Sequence, residues 1–182
     1  MATTARTRFP NTVRIGVLEL GATDGQSVLA TAAEINRVAD TSTRIVNVTA
    51  ATLAVTEADH DGKVVTLNRA AGIAVTLPAA TGSGTWLRFI MGTTVTSNST
   101  TIKVTGNDIM AGMAMFGQDS GADTVVHFST AADTDTITLN GTTTAGVKGD
   151  IIELIDIAAD LWSVRVIGDA TGAETTPFSA TV

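Results

Sequence analysis

From Arg44 to the C-terminus, the chain consists of short runs rich in β-branched residues, separated by residues that favour turns. Examples are "TIKVTGND", "DTVVHFST" and "DTITLNG", and runs of about five to eight residues with this composition are typical of β-strands. Threonine supplies about one residue in six, and its stiff, branched side chain favours extended backbone. The pattern predicts a mainly β fold, either an antiparallel β-sandwich or a partly open β-barrel.

Several turn signals predict how these strands connect. Asp61-Gly62 in "HDGKVVTLN" and Asn140-Gly141 in "LNGTTT" are dipeptides that favour hairpin turns. The segments "DIIELIDI" and "LWSVRVIG" predict a terminal hairpin whose tip contains Ala158, Ala159 and Asp160. No fixed repeat period emerges along the chain.

The segment "TLNRAAGIAVTLPAATGSGTWLRF" predicts three strands joined by two turns, at residues 68–72 and 78–84. Glycine and proline supply the backbone angles that such turns need. Trp86 and Phe89 then fall on opposite faces of the third strand, because side chains alternate along extended backbone. At most one of these aromatic side chains can face the core.

Residues 1–56 differ from the β-rich remainder and predict an N-terminal region before a β-domain at 57–182. Residues 1–12 form a polar arm, "VRIGVLEL" at 13–20 predicts a strand, and apolar residues at three-to-four spacing predict a short helix at 27–39. The arm region carries Arg6, Arg8 and Arg14. These arginines either dock on an acidic protein surface or belong to a solvated, flexible terminus.

The composition excludes several classes of protein. A net charge of −7 and an isoelectric point near 4.6 argue against nucleic acid as a partner, since phosphate binding requires clustered cations. The absence of cysteine removes disulfides and thiolate metal sites. No apolar run is long enough for a signal peptide or a membrane span, so we expect a chain made in the cytoplasm with no membrane partner.

Few residues offer catalytic or metal-binding chemistry. His60 and His127 could hold a metal or a proton, but a polar turn and a strand face respectively are the favoured interpretations. Four aspartates near two turns could bind Ca²⁺, but their spacing matches no EF-hand and favours Asx-turns; they are Asp119, Asp123, Asp133 and Asp135. We therefore predict no catalytic residue, no cofactor and no metal site.

The segment "DIMAGMAMFG" contains a group of soft apolar residues between glycines. Methionine fills irregular gaps in cores and also suits adaptable interfaces, so both roles stay open for this segment. As an interface, it would contribute Met113, Met115 and Phe116. Together with Arg6, Arg8 and Arg14, these are the candidate residues for contact with a capsid or another subunit.

Two parts of the sequence resemble proteins of tailed bacteriophages. "SVLATAAEINRVAD" resembles "ATAAELN" segments of phage tail fibres and head-associated proteins. The region from residue 57 to 182, with "GKVVTLNRAAGIAVTLPAATGSGTWLRFIMGTTVTSNSTTIKV", "DTITLNGTTTAGVKGDIIELIDIAADLWSVRVIG" and "PFSATV", is similar to virion proteins taken to be capsid decoration, or cement, proteins.

The resemblance implies a non-enzymatic subunit on the capsid surface of a virion. Such a subunit binds the outer surface of the major capsid protein lattice as a homotrimer and stabilises the head. An alternative is a tail-fibre or receptor-binding module that recognises host glycan, which the "ATAAEIN" segment also supports. Aliphatic neighbours of Trp86 and Trp162 predict that both rings are buried, which counts against stacking on sugars. A virion-bound hydrolase is a third class, and it lacks a nucleophile paired with a base.

Overall fold

The computed structural model describes residues 44 to 118 and 124 to 180, which form two β-sheets and a one-turn helix, α1 (Glu57–His60). The seven-stranded sheet contains, in spatial order, β1 (Ile45–Val48), β3 (Val64–Leu67), β5 (Trp86–Met91), β10 (Ile151–Ala158), β11 (Leu161–Ala170), β7 (Ile109–Gln118) and β8 (Val125–Ser129). The five-stranded sheet contains β12 (Phe178–Ser179), β9 (Thr136–Leu139), β6 (Thr100–Lys103), β4 (Ala74–Thr76) and β2 (Thr52–Ala54).

The first six strands form three stacked turns of chain. The chain alternates between the sheets, so that β1, β3 and β5 lie side by side in the larger sheet while β2, β4 and β6 do so in the smaller one. All four pairings within these two sets are parallel. Backbone hydrogen bonds continue the ladder beyond the strands, for example from the N–H of Leu77 to the carbonyl of Lys103 at 2.8 Å. This part of the fold is a short β-solenoid.

Stacking places equivalent apolar side chains above one another inside the sandwich. One column from the larger sheet contains Val46, Val65 and Phe89, and another contains Val48, Leu67 and Met91. The smaller sheet contributes the column of Leu53, Val75 and Ile102. These columns belong to one core cluster that draws side chains from both sheets. Burial of apolar area between the sheets therefore holds the turns together.

The second half of the chain closes the stack, and all but one of its strand pairings are antiparallel. The hairpin of β10 and β11 adds to β5, while β9 pairs with β6 and β12 in the smaller sheet. β7 pairs with β11 in parallel and with β8 antiparallel. Trp162 on β11 is fully buried.

The prediction of a mainly β sandwich is confirmed. Half of the strand pairings are parallel, so both sheets are mixed, whereas the sequence predicted an antiparallel arrangement. No closed barrel forms from the described strands, because each sheet keeps two edge strands. The parallel pairs arise from the stacked turns, which bring strands distant in sequence side by side in the same direction.

The terminal hairpin is confirmed, with Asp160 at its tip in the left-handed region (φ 60°). The prediction that the two dipeptides form hairpin turns is wrong. Asp61 and Gly62 follow α1 and lead into β3, which pairs with β1 and β5. Asn140 forms an Asx-turn in which its side-chain oxygen accepts from the N–H of Thr142 at 2.8 Å. A turn dipeptide fixes local backbone angles but does not choose the partner strand.

The predicted arm, the strand at 13–20 and the helix at 27–39 lie outside the described residues. The boundary at residue 56 stays a prediction, although β1 and β2 precede it and are hydrogen-bonded into the two sheets. The helix that the structure does show, α1, was not predicted. Thr56 caps it by accepting from the N–H of Asp59 at 3.3 Å. Within the described ranges, no helix has the length and apolarity required to cross a membrane.

Candidate interaction surface

The outer face of the seven-stranded sheet, which points away from the core, carries large apolar side chains. β10 shows how the sequence produces it: Ile152 and Leu154 are buried, while the alternating Ile155 is exposed. A strand with one solvated face normally alternates apolar with polar residues. On β10, isoleucine occupies positions on both faces. Packing in the core explains the inward isoleucine but not the outward ones.

Register aligns these outward residues into rows that cross the strands. In one row, Trp86 on β5 lies opposite Ile155 on β10. A second row consists of successive Cα partners: Ile90, Ile151, Ile167 and Met115. Exposed side chains near the centre have 39–43% of their surface accessible: Trp86, Ile155 and Ile167 from the rows, and Met113, which lies beside Arg165 between the rows. The rows form one apolar patch across four adjacent strands, which we call the outer-face patch.

The turn after α1 holds the backbone of Trp86. The N–H of Trp86 donates to the carboxylate of Asp61 at 3.0 Å, and its carbonyl accepts from the N–H of Gly62 at 3.0 Å. Gly62 has a positive φ of 68°, which glycine adopts without strain. Hydrogen bonds therefore hold both the N–H and the carbonyl of Trp86, and the indole projects from this fixed backbone.

A small ionic group lies between the two apolar rows. Glu153 on β10 is in register with Arg88 on β5 and Arg165 on β11. Arg165 donates to the Glu153 carboxylate through Nε and Nη2, and Arg88 Nε lies 3.7 Å from the same group. Paired charges cost less to cover than isolated ones, so a partner can bury this group together with its apolar neighbours.

A groove of about 340 Å³ runs across the patch beside this ionic group. The residues that line it include Gly112, Met113, Ile155, Ser163 and Arg165. A Cβ on Gly112 would lie 1.8 Å from the carbonyl oxygen of Val164. Glycine is therefore required for the close approach of β7 to β11.

The outer face of the five-stranded sheet has a different composition. Its exposed strand residues are small or polar, and they are Thr52, Ala54, Ala74, Thr76, Lys103 and Ser179. The two faces belong to the same fold and are built from similar strands. The apolar character is thus specific to the larger sheet, as expected for a surface that another molecule covers.

A buried carboxylate anchors one end of the hairpin that forms the centre of the patch. Asp156 accepts backbone N–H bonds from Thr81, Gly82 and Ser83 at 2.9, 2.7 and 3.0 Å, and the hydroxyl of Ser83 lies 2.9 Å away. Burial raises the pKa of Asp156, but these hydrogen bonds outweigh it and lower the pKa to about 2. The loop at residues 81–83 is therefore a clamp on β10.

A second buried carboxylate anchors the other end of β10. Asp150 accepts N–H bonds from Gly146, Val147 and Asp169 at 2.7, 2.8 and 3.0 Å. Burial raises the pKa of Asp150 despite these bonds, and the nearby charge of Asp169 raises it further. Gly168 permits this contact, because a Cβ there would lie 2.5 Å from the Asp150 carboxyl carbon.

The structure separates the interface residues that the sequence predicted. Arg6, Arg8 and Arg14 lie outside the described residues. Met113 is on the outer-face patch, and Met115 is half-buried in one of its rows. Phe116 is fully buried and packs on Phe128 with ring centroids 5.7 Å apart. Alternation along β7 thus sends Phe116 to the core and Met113 to the surface, and the role of Met113 in an interface stays a prediction.

The histidines and aspartates that could take part in catalysis or metal binding lie in separate parts of the structure. His60 is buried in α1 with Nδ1 3.0 Å from the carbonyl oxygen of Thr56, and His127 is exposed on β8. Asp133 and Asp135 line a cavity of about 190 Å³, while Asp119 and Asp123 lie outside the described residues. Within residues 44–118 and 124–180, no group of three histidines or acids is placed to hold a metal ion.

Sequence reasoning missed most of the outer-face patch. The prediction that Trp86 is buried is wrong, although that for Trp162 is correct. Ile155, Ile167 and the ionic group around Glu153 were not singled out. The signal for the patch was "DIIELIDI", where isoleucine appears on both faces of the first strand of the terminal hairpin.

Comparisons with protein-family models, with curated proteins and with solved structures give no match to this chain.

Proposed function

We propose that the chain is a non-enzymatic structural subunit of a tailed-bacteriophage virion, namely a capsid decoration protein. The observation that supports this most is the outer-face patch, a rigid apolar surface on the larger sheet. Patches of this kind mark surfaces that bind other proteins, here another subunit of the same assembly. Residues 57–182 also resemble virion proteins taken to be capsid decoration proteins, and this resemblance supports a location on the head.

The architecture suits a mechanical role on a capsid. The outer surface lies on strands that are clamped at Asp150 and Asp156 and packed on a continuous core. A subunit that binds only the assembled lattice stabilises that lattice by its free energy of binding. In this arrangement the major capsid protein is the main partner, and the arginine-bearing arm contacts its surface.

Immunogold labelling of purified virions tests the location. Antibodies against residues 44–180 should label the head, with even density over its surface. Label confined to the tail tip would contradict the decoration role and support the second candidate below. Mass spectrometry that fails to find the chain in purified virions would contradict both.

A tail-fibre or receptor-binding module that recognises host glycan is the second candidate. The exposure of Trp86 favours it, since sugars stack on exposed aromatic rings. Ile155 connects this ring to the groove, where Glu153, Ser163 and Arg165 offer donors and acceptors for hydroxyl groups. In this function, the groove would bind one or two sugar rings.

Binding to host surface polysaccharide tests the second candidate. A Trp86→Ala variant should lose binding if the ring stacks on sugar, while Trp86→Phe should retain part of it. The matched control is Lys103→Ala, which changes an exposed residue on the outer face of the other sheet. Absence of binding by the unmodified chain would contradict this candidate and leave the decoration role intact.

A further inference from the structure

We infer that the outer-face patch is the surface through which copies of this chain contact one another. The inference rests on the proposed function for the existence of an oligomer, and it names the surface and the residues that form it. Its occupant is a second copy of the chain, packed over Trp86, Ile155, Ile167 and Met113. In a homotrimer, the larger sheet of each copy then faces the three-fold axis.

The dimensions of the sheet fit such a contact. Seven strands spaced about 4.8 Å apart, with about six residues per strand at about 3.3 Å each, give a face of about 34 Å by 20 Å. That is about 700 Å², close to the about 800 Å² per partner that a stable protein interface buries. The outer-face patch covers four of the seven strands, about 400 Å² of this face by the same spacing, so the contact also draws on the outer face of the flanking strands.

The distribution of charge favours a second copy over a charged partner. The chain carries a net charge of −7, so contact between most parts of two copies brings like charges together. The strands of the larger sheet carry four charged side chains on their outer face, two of each sign: Arg88, Glu153, Arg165 and Asp169. This face is neutral on an acidic chain, so two copies meet here without net repulsion.

Three of these four charges already lie together within one copy. Arg165 and Arg88 both lie against Glu153, so a covering copy meets this carboxylate with its counter-ions in place. An acidic or basic partner would gain little from this face, because the charges offer it no net attraction. Because this face is neutral and apolar, and its ion pairs lie within one copy, the same face of a second copy is complementary to it in charge and polarity.

The groove permits close packing between copies. Gly112 and Ser163 form a depression flanked by Ile155 and Met113. When two copies pack face to face, an apolar side chain of one copy can enter the groove of the other. Interfaces between permanent subunits show this kind of complementarity at their centres.

The mass of the full chain in solution tests the inference. Multi-angle light scattering should give a multiple of 18.6 kDa for the unmodified chain, and the mass of one chain for an Ile155→Lys/Ile167→Lys variant. The matched control, Ala74→Lys/Thr76→Lys, adds the same charge to the outer face of the other sheet and should keep the oligomeric mass. Circular dichroism confirms that each variant folds.

A measurement without substitutions covers the case in which the lysine variant fails to fold. Acrylamide quenching of tryptophan fluorescence should increase several-fold on dilution, because dissociation exposes Trp86 while Trp162 stays buried. A monomeric mass at every concentration, an oligomer in the folded lysine variant, or quenching that does not change as the oligomer dissociates would overturn the inference. Such results leave capsid binding untouched, since a monomer can still label the head.

Discussion

Trp86 and Phe89 lie three residues apart on β5, yet Trp86 is exposed on the outer face whereas Phe89 is fully buried in the core. Phe89 stacks on Val65 in the column of apolar side chains that joins the turns of the solenoid. Trp86 instead lies opposite Ile155 on the outer-face patch. One strand thus contributes one aromatic ring to stability and another to an interaction surface.

The two rings should respond differently to truncation. Phe89→Ala leaves a cavity in a packed core and should lower the free energy of unfolding by about 3–5 kcal/mol. Trp86→Ala should lower it by about 1 kcal/mol or less, because much of the ring is already solvated. Urea denaturation at a protein concentration low enough to keep the chain monomeric measures both values, because oligomerisation would add its own stabilisation. Equal losses from the two variants would contradict the assignment of faces.

Asp156 should make the fold sensitive to acid over a defined range. Its pKa is about 2 in the folded chain, compared with 3.8 for an unperturbed carboxyl. As pH falls, the unfolded chain therefore takes up the proton first, and a stabilisation of about 2 kcal/mol present above pH 3.8 is lost as pH falls towards 2. Denaturation of the unmodified chain and of Asp156→Asn across this range measures the effect. The variant should be less stable at neutral pH and show a flatter dependence; parallel curves would contradict the clamp.

Asp150 should titrate in the opposite direction. Burial raises the pKa of Asp150, so the folded chain binds this proton more tightly than the unfolded chain does. The resulting stabilisation is present below pH 3.8 and is lost as pH rises through the folded pKa. Carboxyl-carbon NMR titration should give a midpoint above 3.8 for Asp150 and below it for Asp156. The reverse order would contradict the structural difference between the two clamps.

Parts of the fold could be predicted because their signals are local. The hairpin of β10 and β11 follows from two long apolar runs that are separated by a short tip at Ala159 and Asp160. The placement of Trp86 and Phe89 on opposite faces follows from the period of two along a strand. These features depend only on neighbouring residues.

The stacked turns could not be predicted, because their connections differ in length. The chain passes from Val48 to Thr52, from Leu67 to Ala74 and from Met91 to Thr100 as it crosses between the sheets. Insertions in these connections remove the constant period by which repeats are recognised. Stacking itself depends on backbone hydrogen bonds between distant segments, which composition does not reveal.

The outer-face patch was missed for a different reason. Alternation shows that Trp86 and Phe89 face opposite ways, but it does not say which face is covered when both are apolar. The same ambiguity applies to Ile152 and Ile155 on β10. Only the position of the second sheet decides which side becomes the core.

Gly112 should be the most sensitive glycine of the patch. A Cβ there would lie 1.8 Å from the carbonyl oxygen of Val164, so Gly112→Ala must separate β7 from β11 and should cost about 2–4 kcal/mol. Gly62→Ala is the matched control, because Gly62 has open space around it and only a positive φ of 68°. We expect the control to cost about 1 kcal/mol. Thermal denaturation compares the two, and a smaller loss for Gly112→Ala would contradict the close strand approach.

The most direct test of the proposed function is a cryo-electron microscopy map of virions that contain this chain. The proposed function predicts β-sandwich density on the outer capsid surface, bound to the major capsid protein. The inferred subunit contact predicts that the seven-stranded sheets of neighbouring copies face one another, with Trp86 and Ile155 covered. A bare capsid surface with this density at the tail would contradict the decoration role.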